Sequence, residues 1–180
     1  MKLTERHIIT KKHDLYGYLL CICSKANNLY NRAMFIIRQH YFRLTEKKYT
    51  IDISDSSNLY LNYNEVNKLL KLRNDFDYRE LPANTSQAIL RLVDKNWMSF
   101  FALLKLKQEG RYDKHINIPR YKKPGSKHIC IFNVSNMSVK DRTIRFPKTK
   151  IDFSKFINLN DAKQIRVVPK GGSFYLRTDI

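Results

Sequence analysis

The chain has 180 residues, and its 34 Lys and Arg against 16 Asp and Glu give a formal net charge of +18. Hydrophobic residues make up 43% of it, which suffices for a folded core, and 5 Gly and 5 Pro exclude a collagen-like or low-complexity chain. No apolar run approaches the roughly 20 residues that cross a bilayer, and no apolar stretch follows the charged N-terminus as in a secretory signal. These features predict a cytoplasmic protein without a membrane span.

The positive charge is concentrated in two segments. Residues 1–50 hold 10 basic and 3 acidic side chains and residues 111–150 hold 11 and 2, whereas residues 51–110 hold 8 of each. Such concentration predicts a polyanionic partner. An acidic membrane surface is the competing polyanion, but it requires a lysine-rich amphipathic helix or a lipidation signal, and the sequence shows neither. Nucleic acid is therefore favoured.

The first predicted elements are a strand over residues 2–10 and a long helix. Asp14 is the predicted N-cap of this helix, which ends near Arg43 or Leu44. Apolar residues alternate at spacings of four and three, which only a helix places on one face. That predicted core face comprises Leu15, Leu19, Ile22, Ala26, Leu29, Ala33 and Ile36.

Further helices are predicted in the neutral segment. A loop over residues 45–63 precedes a short helix over residues 64–72, which an acidic stretch over residues 74–80 ends. A third helix follows Pro82 and stops at Gly110. Its candidate caps are Asn84, Thr85 and Ser86. Its predicted core face comprises Ile89, Val93, Trp97, Phe100 and Leu104.

From residue 111 onward the pattern becomes that of strands. Residues 128–134 alternate in hydrophobicity, and residues 138–147 are typical of a hairpin. A second hairpin pairs residues 165–169 with residues 173–176 across a turn that contains Gly171 and Gly172.

These elements together predict an α+β fold. The first strand, over residues 1–12, joins the strands of residues 111–180 in a small β barrel. The helices of residues 13–110 form a helical domain inserted between the first and second strands.

The sequence offers little catalytic chemistry. Cys21, Cys23 and Cys130 are too few for a disulfide framework, and Cys21 and Cys23 point about 200° apart on a helix, so buried free thiols are predicted. No HExxH, CxxC or glycine-rich phosphate motif is present, and the most basic segment has only Asp113 and Asp141 as carboxylates. We therefore expect no metal, no cofactor and no catalytic residue in this chain.

Residues 119–128, here named the basic loop, carry the clearest binding signal. Arg120, Lys122, Lys123 and Lys127 can neutralise phosphates, and Tyr121 can stack on a base. Two prolines and a glycine favour an extended loop. The alternative interpretation is a solvated loop with incidental lysines.

Two other segments are ambiguous. In residues 27–32, Tyr30 is expected in the core and the neighbouring amides on the surface, although amides and Arg32 can also contact nucleic acid. Residues 84–87, followed by Arg91 and Lys95, can contact a DNA groove, but helix capping explains their first three residues equally well.

Four stretches, in this order, resemble the N-terminal half of TnpB, the OrfB-type protein of insertion sequences and a relative of type V CRISPR effectors. They are the first helix with Leu29-Tyr30-Asn31, residues 81–87 leading to Phe100-Phe101, the start of the basic loop at residues 119–123, and the strand pair 165–168 and 174–176.

The resemblance implies a wedge-type β barrel interrupted by a helical recognition domain. It implies a guide RNA from a transposon end and a double-stranded target DNA as partners, as in an RNA-guided DNA endonuclease of a transposable element. The RNA-binding residues would be Lys11, Lys12, Asn31, Arg32, Arg38, Arg120, Tyr121, Lys122, Lys123 and Lys127. The residues that bind the DNA motif would be Asn84, Ser86, Gln87, Arg91 and Lys95.

The family also has a RuvC-like nuclease with an acidic triad and a Cys-rich zinc element, which these 180 residues do not contain. Mg²⁺ is expected only for that nuclease. A fragment, a split protein with a separate RuvC-like nuclease chain, and a naturally truncated binder all fit. The functional alternatives are a stand-alone DNA- or RNA-binding repressor without a nuclease and an interaction subunit of a split nuclease.

Overall fold

The computed structural model describes residues 4–45, 59–133, 138–140, 143–146, 152–154 and 164–179. Within these residues the chain is α+β, as predicted. The helices are α1 (Leu15–Thr45), α2 (Tyr63–Leu72), α3 (Phe76–Glu80) and α4 (Ala83–Gln108). The strands are β1 (Thr4–Ile9), β2 (Cys130–Asn133), β3 (Ser138–Lys140), β4 (Thr143–Arg145), β5 (Asp152–Ser154), β6 (Gln164–Lys170) and β7 (Ser173–Asp179).

Helix α1 is the central element of the core, and its predicted bounds are confirmed. The predicted face is buried through Ala33, but Ile36 is only half-buried, and Met34, Ile37 and Tyr41 are buried instead. An alternating spacing of four and three averages 3.5 residues, whereas the helix has 3.6 per turn, so a straight helix drifts away from that pattern over several turns. The core face at the end of α1 is therefore shifted by one residue.

Helix α2 is confirmed. The acidic stretch over residues 74–80, which was expected only to end α2, also contains the short helix α3. Asn62 caps α2 in a capping box: its Oδ1 accepts from the Glu65 amide at 3.2 Å, and Glu65 Oε2 accepts from the Asn62 amide at 2.8 Å. Asp75 caps α3 through the Tyr78 amide. The predicted loop over residues 45–63 falls largely outside the described residues.

The expected N-cap of α4 is wrong. Pro82 occupies that position, and Asn84, Thr85 and Ser86 lie inside the first turn. The hydroxyls of Thr85 and Ser86 instead donate to carbonyls of other segments. The stop at Gly110 is confirmed, since its φ of +70° is the left-handed conformation that glycine adopts most easily after a helix.

The described strands form two antiparallel sheets, ordered β1-β7-β6-β2 and β3-β4-β5. Both predicted hairpins are present, although residues 141–142 of the first turn lie outside the described residues. Gly171 and Gly172 form the turn between β6 and β7 with φ of +58° and +77°. Strand β5 was not predicted.

The expected closed barrel is not formed by the described strands. Both sheets are open, and β1 and β2 lie at opposite edges of the four-stranded one. At the β2 edge, the Thr85 hydroxyl of α4 donates to the Ile131 carbonyl at 2.9 Å. A helix therefore covers an edge that a closed barrel would pair with another strand.

An aromatic cluster joins α1 to α4. Trp97 is fully buried, and its ring lies 5.4 Å from that of Tyr41 and 6.1 Å from that of Tyr60, with Phe100 and Phe101 also in contact. Of the predicted core face of α4, Ile89, Val93, Trp97 and Phe100 are buried, whereas Leu104 is only half-buried. None of the described helices combines the length and the apolar character that a membrane span requires.

The three cysteines are free, as predicted, but they are not all buried. Cys23 and Cys130 are buried between α1 and β2, whereas Cys21 is exposed. Cys21 and Cys23 lie on nearly opposite sides of α1, so only one of them can face the core.

Replacing Trp97 by alanine should destabilise the protein by about 3–5 kcal/mol, because it removes a fully buried indole from the aromatic cluster. Met98, the next residue of α4, is 57% exposed and is the matched control. Met98→Ala should change the free energy of unfolding by less than about 0.5 kcal/mol. Urea denaturation followed by circular dichroism measures both values, and equal losses would contradict this description of the core.

Candidate nucleic-acid interface

The basic loop lies along α1 and is bound to it through its own backbone. Asn31 Nδ2 donates to the Lys122 carbonyl at 3.0 Å, and Asn31 Oδ1 accepts from the Lys122 amide at 2.8 Å. The side-chain amide thus satisfies both backbone groups of one loop residue, as a neighbouring strand would.

Two further residues of α1 hold the loop. Asn27 is buried; its Nδ2 donates to the Lys123 carbonyl at 3.2 Å, and its Oδ1 accepts from the Ser126 hydroxyl at 3.1 Å. Arg38 Nη1 donates to the Pro119 carbonyl at 2.7 Å. Asn27, Asn31 and Arg38 are four and seven residues apart, so one face of α1 supplies all three anchors.

Since its backbone faces α1, the loop directs its charged side chains to solvent. Arg120, Lys122, Lys123 and Lys127 are exposed, and Tyr121 is 44% exposed. The Arg38 guanidinium lies 5.0 Å from the centre of the Tyr121 ring. The structure therefore brings together one aromatic ring and four cations that the sequence analysis assigned to RNA.

The end of the loop is fixed in the core through His128. Its amide donates to the Cys23 carbonyl at 2.9 Å, and its ring stacks on Tyr30 at 5.2 Å with an interplanar angle of 25°. Burial lowers the pKa of His128, and the positive charge of Lys122 acts in the same direction, although a bond with the Ile129 carbonyl opposes them. Tyr30 is a core residue, as expected.

A cavity of about 280 Å³ extends the loop surface to the β6–β7 turn. It is lined by Tyr16, Ser126, Lys127 and residues 169–174. The Tyr16 hydroxyl donates to the Gly172 carbonyl at 3.2 Å. Sequence reasoning missed Tyr16 and Lys170, because the pattern predicts the hairpin but not its contact with the start of α1.

Three predicted RNA-binding residues are not joined to this surface by any described contact. Arg32 Nε lies 3.4 Å from Asp75 Oδ2, which places it at the turn between α2 and α3. Lys11 and Lys12 are exposed in the turn between β1 and α1. Asn31 and Arg38 do belong to the surface, but their polar groups are hydrogen-bonded to the backbone of the loop.

The five residues predicted to contact DNA all lie on the first half of α4, but they differ in exposure. Ser86 is fully buried and donates to the Tyr78 carbonyl at 2.9 Å, so its assignment to a DNA contact is wrong. Asn84 and Gln87 are half-buried, and Arg91 and Lys95 are exposed. Nη2 of Arg91 donates to Gln87 Oε1 at 3.4 Å.

A largely apolar groove of about 350 Å³ separates α4 from β2 and β6. Arg91 and Lys95 line it on the helical side, and Ile129, Ile131 and Arg166 line it on the other side. The side chains there combine apolar walls with cations, which suits a ligand that has both apolar and anionic parts.

Comparison with protein-family models gives no match, and comparison with curated proteins gives none either. Within the described residues, no three His, Cys, Asp or Glu side chains are grouped as metal ligands.

Replacing Asn31 by alanine should release the loop from α1 at Lys122. Two hydrogen bonds of about 0.5–1.5 kcal/mol each are lost, so amide hydrogen exchange at Lys122 should become about tenfold faster or more. Gln39→Ala, at an exposed position of the same helix, should leave that exchange rate unchanged. Unchanged exchange in Asn31→Ala would show that the anchor is not needed.

The lowered pKa of His128 should make folding pH-dependent. Below about pH 6.5 the unfolded chain binds a proton at this imidazole, and the folded chain binds one less readily because its pKa is lower, so acidification favours unfolding. His128→Phe keeps a ring against Tyr30 and should reduce the loss of stability between pH 7 and pH 5.5. Denaturant titrations at both pH values test this, with exposed His115→Gln as the control. An equal loss of unfolding free energy between pH 7 and pH 5.5 in wild type and His128→Phe would contradict the assignment.

Proposed function

We propose that this chain binds RNA through the basic loop and the face of α1 beneath it, as the N-terminal part of a TnpB-like RNA-guided nuclease. The observation that carries the proposal is the attachment of the loop backbone to Asn27, Asn31 and Arg38. Cations on an anchored loop lose less conformational freedom on binding than cations on a free one.

The chemistry of the loop suits a nucleic-acid backbone. Four exposed cations lie within the eight residues 120–127, and each can neutralise a phosphate and release a counterion. Tyr121 is 44% exposed, and its ring, with the Arg38 guanidinium 5.0 Å from its centre, is a candidate for stacking with an unpaired base.

The finer assignment to a TnpB-like protein rests on the order of the four resembling stretches. In this scheme the two sheets belong to the wedge-type domain, and residues 13–110 are the recognition domain. The target duplex lies along the start of α4, near Asn84, Gln87, Arg91 and Lys95. The zero net charge of residues 51–110 supports groove contacts there rather than bulk attraction. Cleavage with Mg²⁺ is assigned to a RuvC-like nuclease, and the protein acts in the cytoplasm.

Charge reversal in the loop tests the proposal. The triple variant Arg120→Glu, Lys122→Glu and Lys123→Glu should weaken binding to RNA of any sequence. The slope of log affinity against log salt should fall by about 2, at about 0.7 for each lost contact to a single strand. Fluorescence anisotropy with a labelled transposon-end RNA over a salt series measures both quantities.

Two sets of controls distinguish the effect of the loop on RNA binding from the effect of total charge and from recognition of a DNA motif. Lys68→Glu, Lys71→Glu and Lys105→Glu reverse three exposed charges on α2 and α4 and should retain most of the RNA affinity. Gln87→Ala and Arg91→Ala should alter only the preference among duplex motifs. RNA binding that is absent or insensitive to salt, or equal losses in all these variants, would refute the proposal.

A further inference from the structure

Three arginines lie side by side on neighbouring strands of the four-stranded sheet. Arg6 of β1 pairs with Arg177 of β7, which in turn pairs with Arg166 of β6. Directly paired residues of antiparallel strands point to the same face, and neighbouring strands are about 4.8 Å apart. The row therefore extends about 10 Å across the sheet.

This face is the outer face of the sheet. The alternate residues Ile165, Val167, Phe174 and Leu176 are buried in the core on the other side. Arg6 and Arg166 are exposed and Arg177 is half-buried. Ile131 of β2 pairs with Arg166 and continues the row to the apolar groove beside α4.

An aromatic ring lies next to the row on the same face. Tyr175 is two residues from Arg177 and pairs with Ile8, which is 52% exposed. The Arg6 guanidinium lies 5.3 Å from the centre of the Tyr175 ring. A ring and a guanidinium in contact form a surface on which a nucleobase can stack.

Like charges at directly paired positions of a sheet repel one another, and this row places three of them next to each other. A ligand with regularly spaced negative charges relieves this repulsion. A nucleic-acid strand supplies such charges together with bases that match the ring and the apolar flank. An unpaired base is required, because a base inside a duplex does not expose its face for stacking.

We propose that the outer face of the four-stranded sheet binds single-stranded nucleic acid. The backbone phosphates contact Arg6, Arg166 and Arg177, and one base stacks on Tyr175. This inference rests on the proposed RNA-binding function and adds to it a second surface, built on the sheet and separate from the basic loop.

The test uses the full chain and a fluorescein-labelled oligouridine strand. The variant Arg6→Gln, Arg166→Gln and Arg177→Gln should lower affinity about tenfold or more and reduce the salt slope by about 2. Tyr175→Leu should lower affinity about tenfold with the slope unchanged, because stacking involves no counterion release. Photocrosslinking with 4-thiouridine should label the peptide that contains Tyr175.

The matched control is Lys68→Gln, Lys71→Gln and Lys105→Gln, which removes the same charge from α2 and α4 and should retain most of the affinity. The melting temperature of the arginine variant, measured beside that of the control variant, separates loss of fold from loss of the phosphate contacts. Oligouridine binding by the triple arginine variant that equals that of the control would overturn the inference.

Other outcomes also decide the question. If the triple arginine variant loses as much affinity for a duplex as for the single strand, the single-strand assignment is overturned. If this variant binds oligouridine normally but no longer binds phosphatidylserine vesicles or polyglutamate, nucleic acid is not the ligand of this face and the inference is overturned. If charge reversal in the basic loop abolishes RNA binding while the arginine variant binds normally, the proposed function stands and only the second surface fails. If neither variant loses binding, both proposals fail.

Discussion

The candidate interface depends on the hydrogen bonds between the polar row of α1 and the backbone of the basic loop. Asn27, Asn31 and Arg38 supply side-chain donors and acceptors to a segment that belongs to no strand or helix. Polar backbone groups that lie against a helix must be satisfied, and here amide and guanidinium groups do this. The basic side chains of the loop are consequently exposed, and two of them make short-range contacts: Arg120 Nη2 donates to Asn117 Oδ1 at 3.1 Å, and Lys122 Nζ lies 5.4 Å from the centre of the Tyr30 ring.

The loop is also continuous with the core. His128, the last residue of the loop, stacks on Tyr30 of α1 and directly precedes the residues that lead into β2. Tyr30 in turn accepts a hydrogen bond from Asn96 of α4 at 3.0 Å. The loop is thus tied at one end to the packing of both long helices with β2. The exposed Lys127 and the buried His128 are consecutive, so the charged surface of the loop is directly continuous with the core.

Much of the candidate site was visible in the sequence, but the roles of its residues were not. The pattern of lysines, arginines and tyrosine identified the basic loop without any structure. The resemblance implies RNA contacts for Asn31 and Arg38, yet their polar groups anchor the loop. Ser86 was selected for DNA, yet it is buried. A polar residue type permits either role, and only its neighbours in space decide between them.

Local patterns determined the elements of this protein. Periodicity near 3.6 fixes α1, α2 and α4 along the chain, and the Gly171-Gly172 turn fixes the last hairpin, because these depend on residues a few positions apart. The tertiary structure decided what depends on distant residues. The sheet stays open where Thr85 reaches Ile131, and the register of β1 and β7 places Arg6 beside Arg177. Strand pairing across such sequence separations is set by the packing of the whole chain, and the pattern of neighbouring residues does not predict it.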